Sequence, residues 1–426
     1  MTDASDAATR GRFWTAFGPG LLWAATAIGV SHLVQSTRAG AVAGFGLAGV
    51  IVLALIVKYP FFEYGPRYAA ATGASLVEGY RRIGRWALWL YLAITLLTVG
   101  IIQSAVVMFT AYLVGFTFGL DWPLPVLAGL VMAACAGLLW GGRFRGLDLS
   151  IKLILVLLGV STLVAAAVSV PRADFSTFVL WPGGLIGTVV PFGFLLALVG
   201  WMPTAIDVAA WSSLWTLAKN EASGERCSVE TARRDFLVGY FGTAALAFAF
   251  VLLGTGVMFG SDAEFAPEGT LFATQLVDLY SATLGAWTRP VVLVAVVTTM
   301  LSTTLTVMDG APRVIERSIF VLRSGTTTTA TPPSCGPVYW WSLLVLVTLT
   351  LVVMALFIGN LTTMVDFATI VSFLTGPILG YLTLRAVTSD EMPVEHRPGR
   401  AMLVWSWVGL VLLGGTGLFY LLSLFG

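Results

Sequence analysis

The chain has 426 residues, 58% of them hydrophobic and 11% charged, against about 25% charged in an average soluble domain. Its 23 basic and 22 acidic residues leave a formal net charge of +1, which gives no electrostatic footprint for nucleic acid. A mean hydropathy of +0.90, carried by apolar runs from residue 13 onward, excludes both a water-soluble enzyme and a soluble domain on a single anchor. The composition is that of an all-α polytopic membrane protein.

In chain order, the polar MTDASDAATR reads as the core of a disordered cytoplasmic tail over residues 1–12. It does not read as a signal peptide, because no cleavage-type motif follows it. A bilayer-crossing helix takes about 20 mostly apolar residues, and eleven stretches qualify, at roughly 16–36, 46–66, 86–116, 122–140, 151–170, 186–216, 236–259, 289–309, 339–358, 361–385 and 402–424. Nothing between them is long enough to form a second domain, so residues 13–426 are expected to be one membrane domain.

Basic residues orient the bundle. With the N-terminus in the cytoplasm, every Lys and Arg except Arg38, Arg172 and Arg289 falls on the inner side, Lys58 among them, as the positive-inside rule requires. Eleven crossings of a plasma (bacterial inner) membrane then put the C-terminus outside. Cys135 lies within a span and Cys227 and Cys335 fall in inner loops, with neither a disulfide nor a metal-type spacing.

Two long spans carry helix breakers near their middle. The first holds Gly29, Val30, Ser31 and His32; the sixth holds Gly200, Trp201, Met202, Pro203 and Thr204. Breaks at positions 1 and 6 are corresponding places in two five-helix halves. That is the pattern of an inverted-repeat carrier with its substrate at mid-membrane, where freed carbonyls and half-helix ends supply ligands.

These residues also carry a resemblance. GPGLL at 18–22, AGA at 39–41, TGASLVEGY at 72–80, the Met-Pro at 202–203 and STTLT at 302–306 keep the order and approximate spacing of the Nramp family of divalent-metal transporters. The resemblance covers about residues 14–385. It implies a LeuT-like inverted-repeat fold of 5+5 helices plus an eleventh, with repeat one at about 14–170, repeat two at about 184–386 and the extra helix at about 401–424. The family's Asp-Pro-Gly-Asn at the first break is replaced here by Gly29, Val30, Ser31 and His32. Its Met-Pro-His at the second becomes Met202, Pro203 and Thr204, and the third span carries no carboxylate.

Ionisable residues inside a bilayer are costly, so each is a functional candidate. His32 offers an imidazole at the first break, and Met202 a soft sulfur at the second. Asp207 follows the second break by four residues. With Gly29, Ser31, Trp201 and Thr204 these form the expected substrate site, and His32, Met202 and Asp207 the expected metal ligands. Gln103, the one strongly polar side chain of span 3, joins Asp309 and Asp366 as gating or coupling candidates. Asp309 stands four residues before Arg313, as in an ion pair along one helix face. Asp366 lies early in span 10.

The leading expectation is a secondary transporter that moves a divalent transition metal, such as Mn or Fe, by alternating access. The first alternative is a LeuT-like carrier of a small organic solute, an amino acid or amine, with Trp201 as a cation–π face and Asp207 as counter-ion. The second is a non-transporting membrane receptor. No phosphate-cradling loop, zinc-type His pair or nucleophile elbow suggests an enzyme, and no loop would hold a nucleotide-driven domain. No resident cofactor or nucleic-acid partner is expected, only the lipid bilayer and a small substrate, with the chain acting as a monomer.

Overall fold

The computed structural model describes residues 18–141, 144–261, 265–324, 335–357 and 360–425, with side chains left out over 144–155. The expected tail at 1–12 lies outside the described residues. Among the described residues fifteen α-helices run in chain order. Crossing 1 consists of α1 (Pro19–Ala27), a π-helical segment (Ser31–Ser36) and α2 (Thr37–Ala43). Crossing 2 is α3 (Ala48–Thr72), followed by a short connector, α4 (Leu76–Ile83). Crossings 3, 4 and 5 are α5 (Arg85–Phe118), α6 (Leu124–Trp140) and α7 (Phe144–Ser169).

The second half opens with crossing 6, built of α8 (Phe192–Gly200) and α9 (Val208–Ser223) around an unwound stretch. Crossing 7 is α10 (Val229–Val257), and α11 (Gly269–Leu284) is a helix between crossings that the sequence reading did not anticipate. Crossings 8 to 11 are α12 (Arg289–Ser324), α13 (Pro337–Ala355), α14 (Leu361–Val387) and α15 (Arg400–Ser423). Among the described residues, seven of the unbroken helices are long and apolar enough to cross a membrane by themselves.

Turn chemistry fixes where several elements stop and start. α3 and α5 end at Gly73 and Gly119, whose φ values of +70° and +62° suit a residue without a Cβ. α4 begins with a capping box: the Ser75 hydroxyl accepts from Val77 N–H, while the Glu78 carboxylate accepts from Ser75 N–H at 2.9 Å. Ser228 and Asn360 cap α10 and α14 with a side-chain oxygen that accepts from Thr231 N–H and Thr363 N–H.

The two broken crossings each lean on a partner from the other half. Crossing 1 packs along α10, and crossing 6 packs along α3 and α14. Small residues let the backbones touch: a Cβ on Gly40 would lie 2.1 Å from Val251 O, and one on Gly254 would lie 2.2 Å from Thr37 O. Asp235 of α10 accepts from Gly20 N–H at 2.8 Å and from Gly18 N–H at 3.3 Å, satisfying the free donors at the start of α1. Trp23 of α1 sits fully buried between Phe62, Phe236 and Tyr240, with ring centroids 5.3 to 5.5 Å apart. The face of the bundle on which crossing 1 begins is called face I below, and the opposite one face II.

Candidate functional site

The two breaks face each other at the centre of the bundle. In crossing 1, α1 ends at Ala27 and the chain leaves helical geometry at Ile28, whose ψ is +88°. It re-enters helix through the wide π turn at Ser31, a form of helix frequent at functional sites. In crossing 6, residues 201–207 separate α8 from α9, and the Met202–Pro203 peptide bond is cis. Between the breaks lies a small cavity, with about 30 Å³ open to the centres of water-sized groups.

Both breaks and two further crossings supply its walls. Its polar groups are Thr26 and Ser31 from crossing 1, Thr204 and Asp207 from crossing 6, and Thr303 from α12. Apolar surface comes from Val30, Ile102, Val106, Val208 and Val307, with the indoles of Trp201 and Trp211. Trp201 is held by its N–H, which donates to the Ser372 hydroxyl of α14 at 2.8 Å. Two polar atoms at this cavity are buried with no hydrogen-bond partner: Asp207 Oδ1 and Trp211 Nε1. A buried carboxylate oxygen left unpaired is costly, so a group that binds there would be strongly favoured.

The expected metal ligands are not gathered at this cavity. His32 is fully buried outside it: its Nε2 lies 3.0 Å from Thr243 O and its Nδ1 2.7 Å from the Ser31 hydroxyl. A carbonyl only accepts, so Nε2 carries the proton and Nδ1 faces the hydroxyl. Both ring nitrogens are engaged by groups of the chain itself. Met202 is fully buried and likewise does not border the cavity. Among the described residues no three His, Cys, Asp or Glu side chains converge as a metal group would need.

The carbonyls of the first break are also occupied. Gly29 lies against Thr303, and its C=O accepts from His32 N–H and Leu33 N–H at 3.1 and 2.9 Å. Thr303 Oγ1 approaches Ala25 O and Ile28 O at 3.2 and 3.3 Å, and Ser31 Oγ approaches Ala27 O at 2.7 Å. Hydroxyl groups of the chain thus stand where freed carbonyls would otherwise seek a ligand.

Of the three gating candidates, one joins elements across the bundle. Asp366 of α14 is held by Arg38 of α2 through two bonds, Nη1–Oδ1 at 2.7 Å and Nη2–Oδ2 at 3.2 Å. Gln35 donates to the same carboxylate at 2.9 Å, and the guanidinium lies 4.6 Å over the Phe194 ring of α8. This cluster ties crossings 1, 6 and 10 together on face II. Asp309 is placed elsewhere, in an i, i+4 pair with Arg313 at 2.7 Å and accepting from Tyr339 of α13 at 3.1 Å. Gln103 is fully buried with neither amide atom partnered, and it does not border the cavity.

Two features escaped the sequence reading. On face I, α4 straps three crossings: Leu76 N–H donates to Ser213 of α9 at 3.0 Å, Tyr80 bonds Thr383 of α14 at 2.9 Å, and Glu78 pairs with Arg317 of α12. The second is Lys58, expected among the inner-side charges. It is instead buried at the crossing-6 break, donating to Val199 O, Gly200 O and Thr204 O at 3.1, 2.9 and 2.7 Å. The signal for it was present, since position 58 lies well within its apolar run.

With this geometry in place, comparison with known proteins fixes the fold. No protein-family model matches the chain. The uncharacterized protein PM0681 of Pasteurella multocida (strain Pm70) is 31% identical over 417 residues, spanning 96% of this chain and 92% of its own length. The chain belongs to the family of PM0681. Among solved structures, the Eremococcus coleocola manganese transporter in complex with an aromatic bis-isothiourea substituted compound superposes with a TM-score of 0.72 at 15% identity. The match covers 96% of this chain and 86% of that one. MhsT in complex with L-phenylalanine gives 0.59 at 14% identity over 95% and 98% of the two chains. The nucleobase-cation-symport-1 transporter MHP1, closed around bromovinylhydantoin, gives 0.54 at 16% identity over 96% and 90%. The protein thus has the LeuT-like inverted-repeat fold, with crossings 1 and 6 broken and an eleventh helix appended, and is a multi-pass membrane protein.

Proposed function

We propose that this protein is a secondary transporter that carries a small organic solute bearing an ammonium group, an amine or an amino acid, by alternating access. The observation that carries the reading is Asp207 Oδ1, buried without a partner at the central cavity. An ammonium there would gain a charge-assisted hydrogen bond, and the indole faces of Trp201 and Trp211 would attract the same cation. The apolar remainder of the wall suits carbon chains and is poor in the oxygen, nitrogen and sulfur donors that a dication demands.

Both faces are closed around the cavity, by the Arg38–Asp366 cluster on face II and by the α4 strap on face I. Alternating access would release one closure at a time. The asymmetry of basic residues supports face I as the cytoplasmic side of a plasma membrane. The contact pattern supports two repeats of five crossings within one membrane domain.

A divalent metal as cargo is the second reading, favoured by the higher TM-score with the manganese transporter than with MhsT or MHP1. Binding measurements on the purified protein with a panel of amines, amino acids, Mn²⁺, Cd²⁺ and Mg²⁺ separate the two. Heat or thermal stabilisation from an organic ammonium compound supports the first. Binding of Mn²⁺ or Cd²⁺ that is lost in Met202→Ala, with no response to any organic solute, would replace it with the second.

A further inference from the structure

The last turn of a helix leaves carbonyl oxygens without intrahelical donors, at the negative end of the helix dipole. Breaking crossing 6 in mid-bundle exposes such a set at α8, with Thr204 O added from the unwound stretch. In folds with interrupted helices, carbonyls of this kind are where free cations bind. Here the space is taken. Lys58 reaches across from α3, 3% exposed, and directs its ammonium at Val199 O, Gly200 O and Thr204 O within 3.1 Å. Three acceptors match the three N–H donors of an ammonium. The Phe62 ring lies 5.7 Å from Nζ.

We propose that Lys58 is a tethered cation: its ammonium fills the carbonyl cage made by the crossing-6 break, in place of a free ion, and determines that no metal or alkali cation binds there. A dication arriving at the cavity finds these carbonyls already holding a positive charge. Thr204 belongs to both the cage and the cavity wall, so the ammonium also fixes the backbone that precedes Asp207. Lys58 is thus a positioning and specificity-determining residue. The assignment holds whichever solute the cavity carries, because its test reads stability and not transport.

The test is thermal unfolding of the full-length protein in detergent at constant ionic strength. Choline chloride, whose cation is too large for the cage, is exchanged for sodium or potassium chloride. Wild type is expected to melt at one temperature in all three salts. Lys58→Ala should melt lower in choline and regain at least half of the lost interval in a small cation, saturably. Lys58→Met, which refills the space with an uncharged chain, should stay low in every salt. A Lys58→Ala protein equally unstable in all salts, or a wild type stabilised by sodium or potassium over choline, overturns the proposal. If Lys58→Ala does not accumulate, Lys58→Arg and Lys58→Gln are compared for yield of folded protein. Arg, keeping the charge, should exceed Gln severalfold. Equal yields or the reverse order would overturn it as well.

Discussion

Arg38 and Asp366, 328 residues apart in the chain, meet through two bonds of 2.7 and 3.2 Å and join the far end of crossing 1 to crossing 10. Their side chains are 16% and 27% exposed, so the pair is neither sealed from water nor fully screened by it. Gln35 and the Phe194 ring complete the contact, bringing α2, α8 and α14 together at one point. In the proposed transport cycle this pair is the contact that opening of face II would release.

Weakening that closure should expose the cavity from face II. In a protein otherwise free of cysteine, Ser372→Cys should react with an impermeant maleimide about tenfold faster when Asp366→Asn is added. That factor corresponds to the loss of about 1.4 kcal/mol from a partly screened pair. An unchanged rate would assign the pair to stability and not to gating.

The opposite closure rests on Glu78, buried under α4 between Ser75 and Arg317. Glu78→Gln keeps the shape and removes the charge, leaving Arg317 with an uncompensated interaction. A loss of about 3 kcal/mol is expected, together with faster labelling of a cysteine at Ser213 from face I. Faster labelling from face II instead would contradict the placement of α4 as the face I strap.

Close packing of crossing 1 on crossing 7 predicts a severe effect from a single methyl group. Gly40→Ala would put its Cβ about 2 Å from a main-chain oxygen that has no room to retreat. Gly242→Ala on the same α10 meets nothing within 4 Å. The first variant should melt far below wild type in detergent and the second should be indistinguishable from it.

The thiols of Cys227 and Cys335 test orientation and carry a pH signature. Burial pushes both thiols up from their ordinary range, and only the thiolate is nucleophilic. Alkylation should therefore be slow at neutral pH and accelerate as pH rises, past the range where an exposed thiol has levelled off. Cys135, buried within α6, should not react. With face I cytoplasmic, an impermeant reagent labels neither loop thiol in intact cells and both in inverted vesicles; labelling in intact cells would reverse the topology.

Much of the architecture was legible in the sequence because a bilayer-spanning chain must be apolar for the length of every crossing, and the breakers in spans 1 and 6 are backbone-level signals. Asp309 too declared its partner through the four-residue spacing to Arg313. The site was harder to read because direction is not a property of sequence position. His32 stands at the break, yet the π turn carries its ring to Thr243 O of α10 and away from the cavity. Lys58 was assigned to a surface by counting charges, while only the folded chain brings it to the end of α8. Nor does local pattern reveal the Arg38–Asp366 pair, whose members lie in different halves.

The central claim is that the cavity is built for an organic ammonium group at Asp207. It is tested most directly by calorimetric titration of the wild type and of Asp207→Asn with amines, amino acids and Mn²⁺. An organic ammonium compound is expected to bind the wild type, and its affinity should fall about 30-fold or more in Asp207→Asn, the scale of losing a buried charge-assisted contact of at least 2 kcal/mol. Mn²⁺ should give no heat with either protein. Tight Mn²⁺ binding to the wild type, abolished in Asp207→Asn and with no organic solute bound, would contradict the claim.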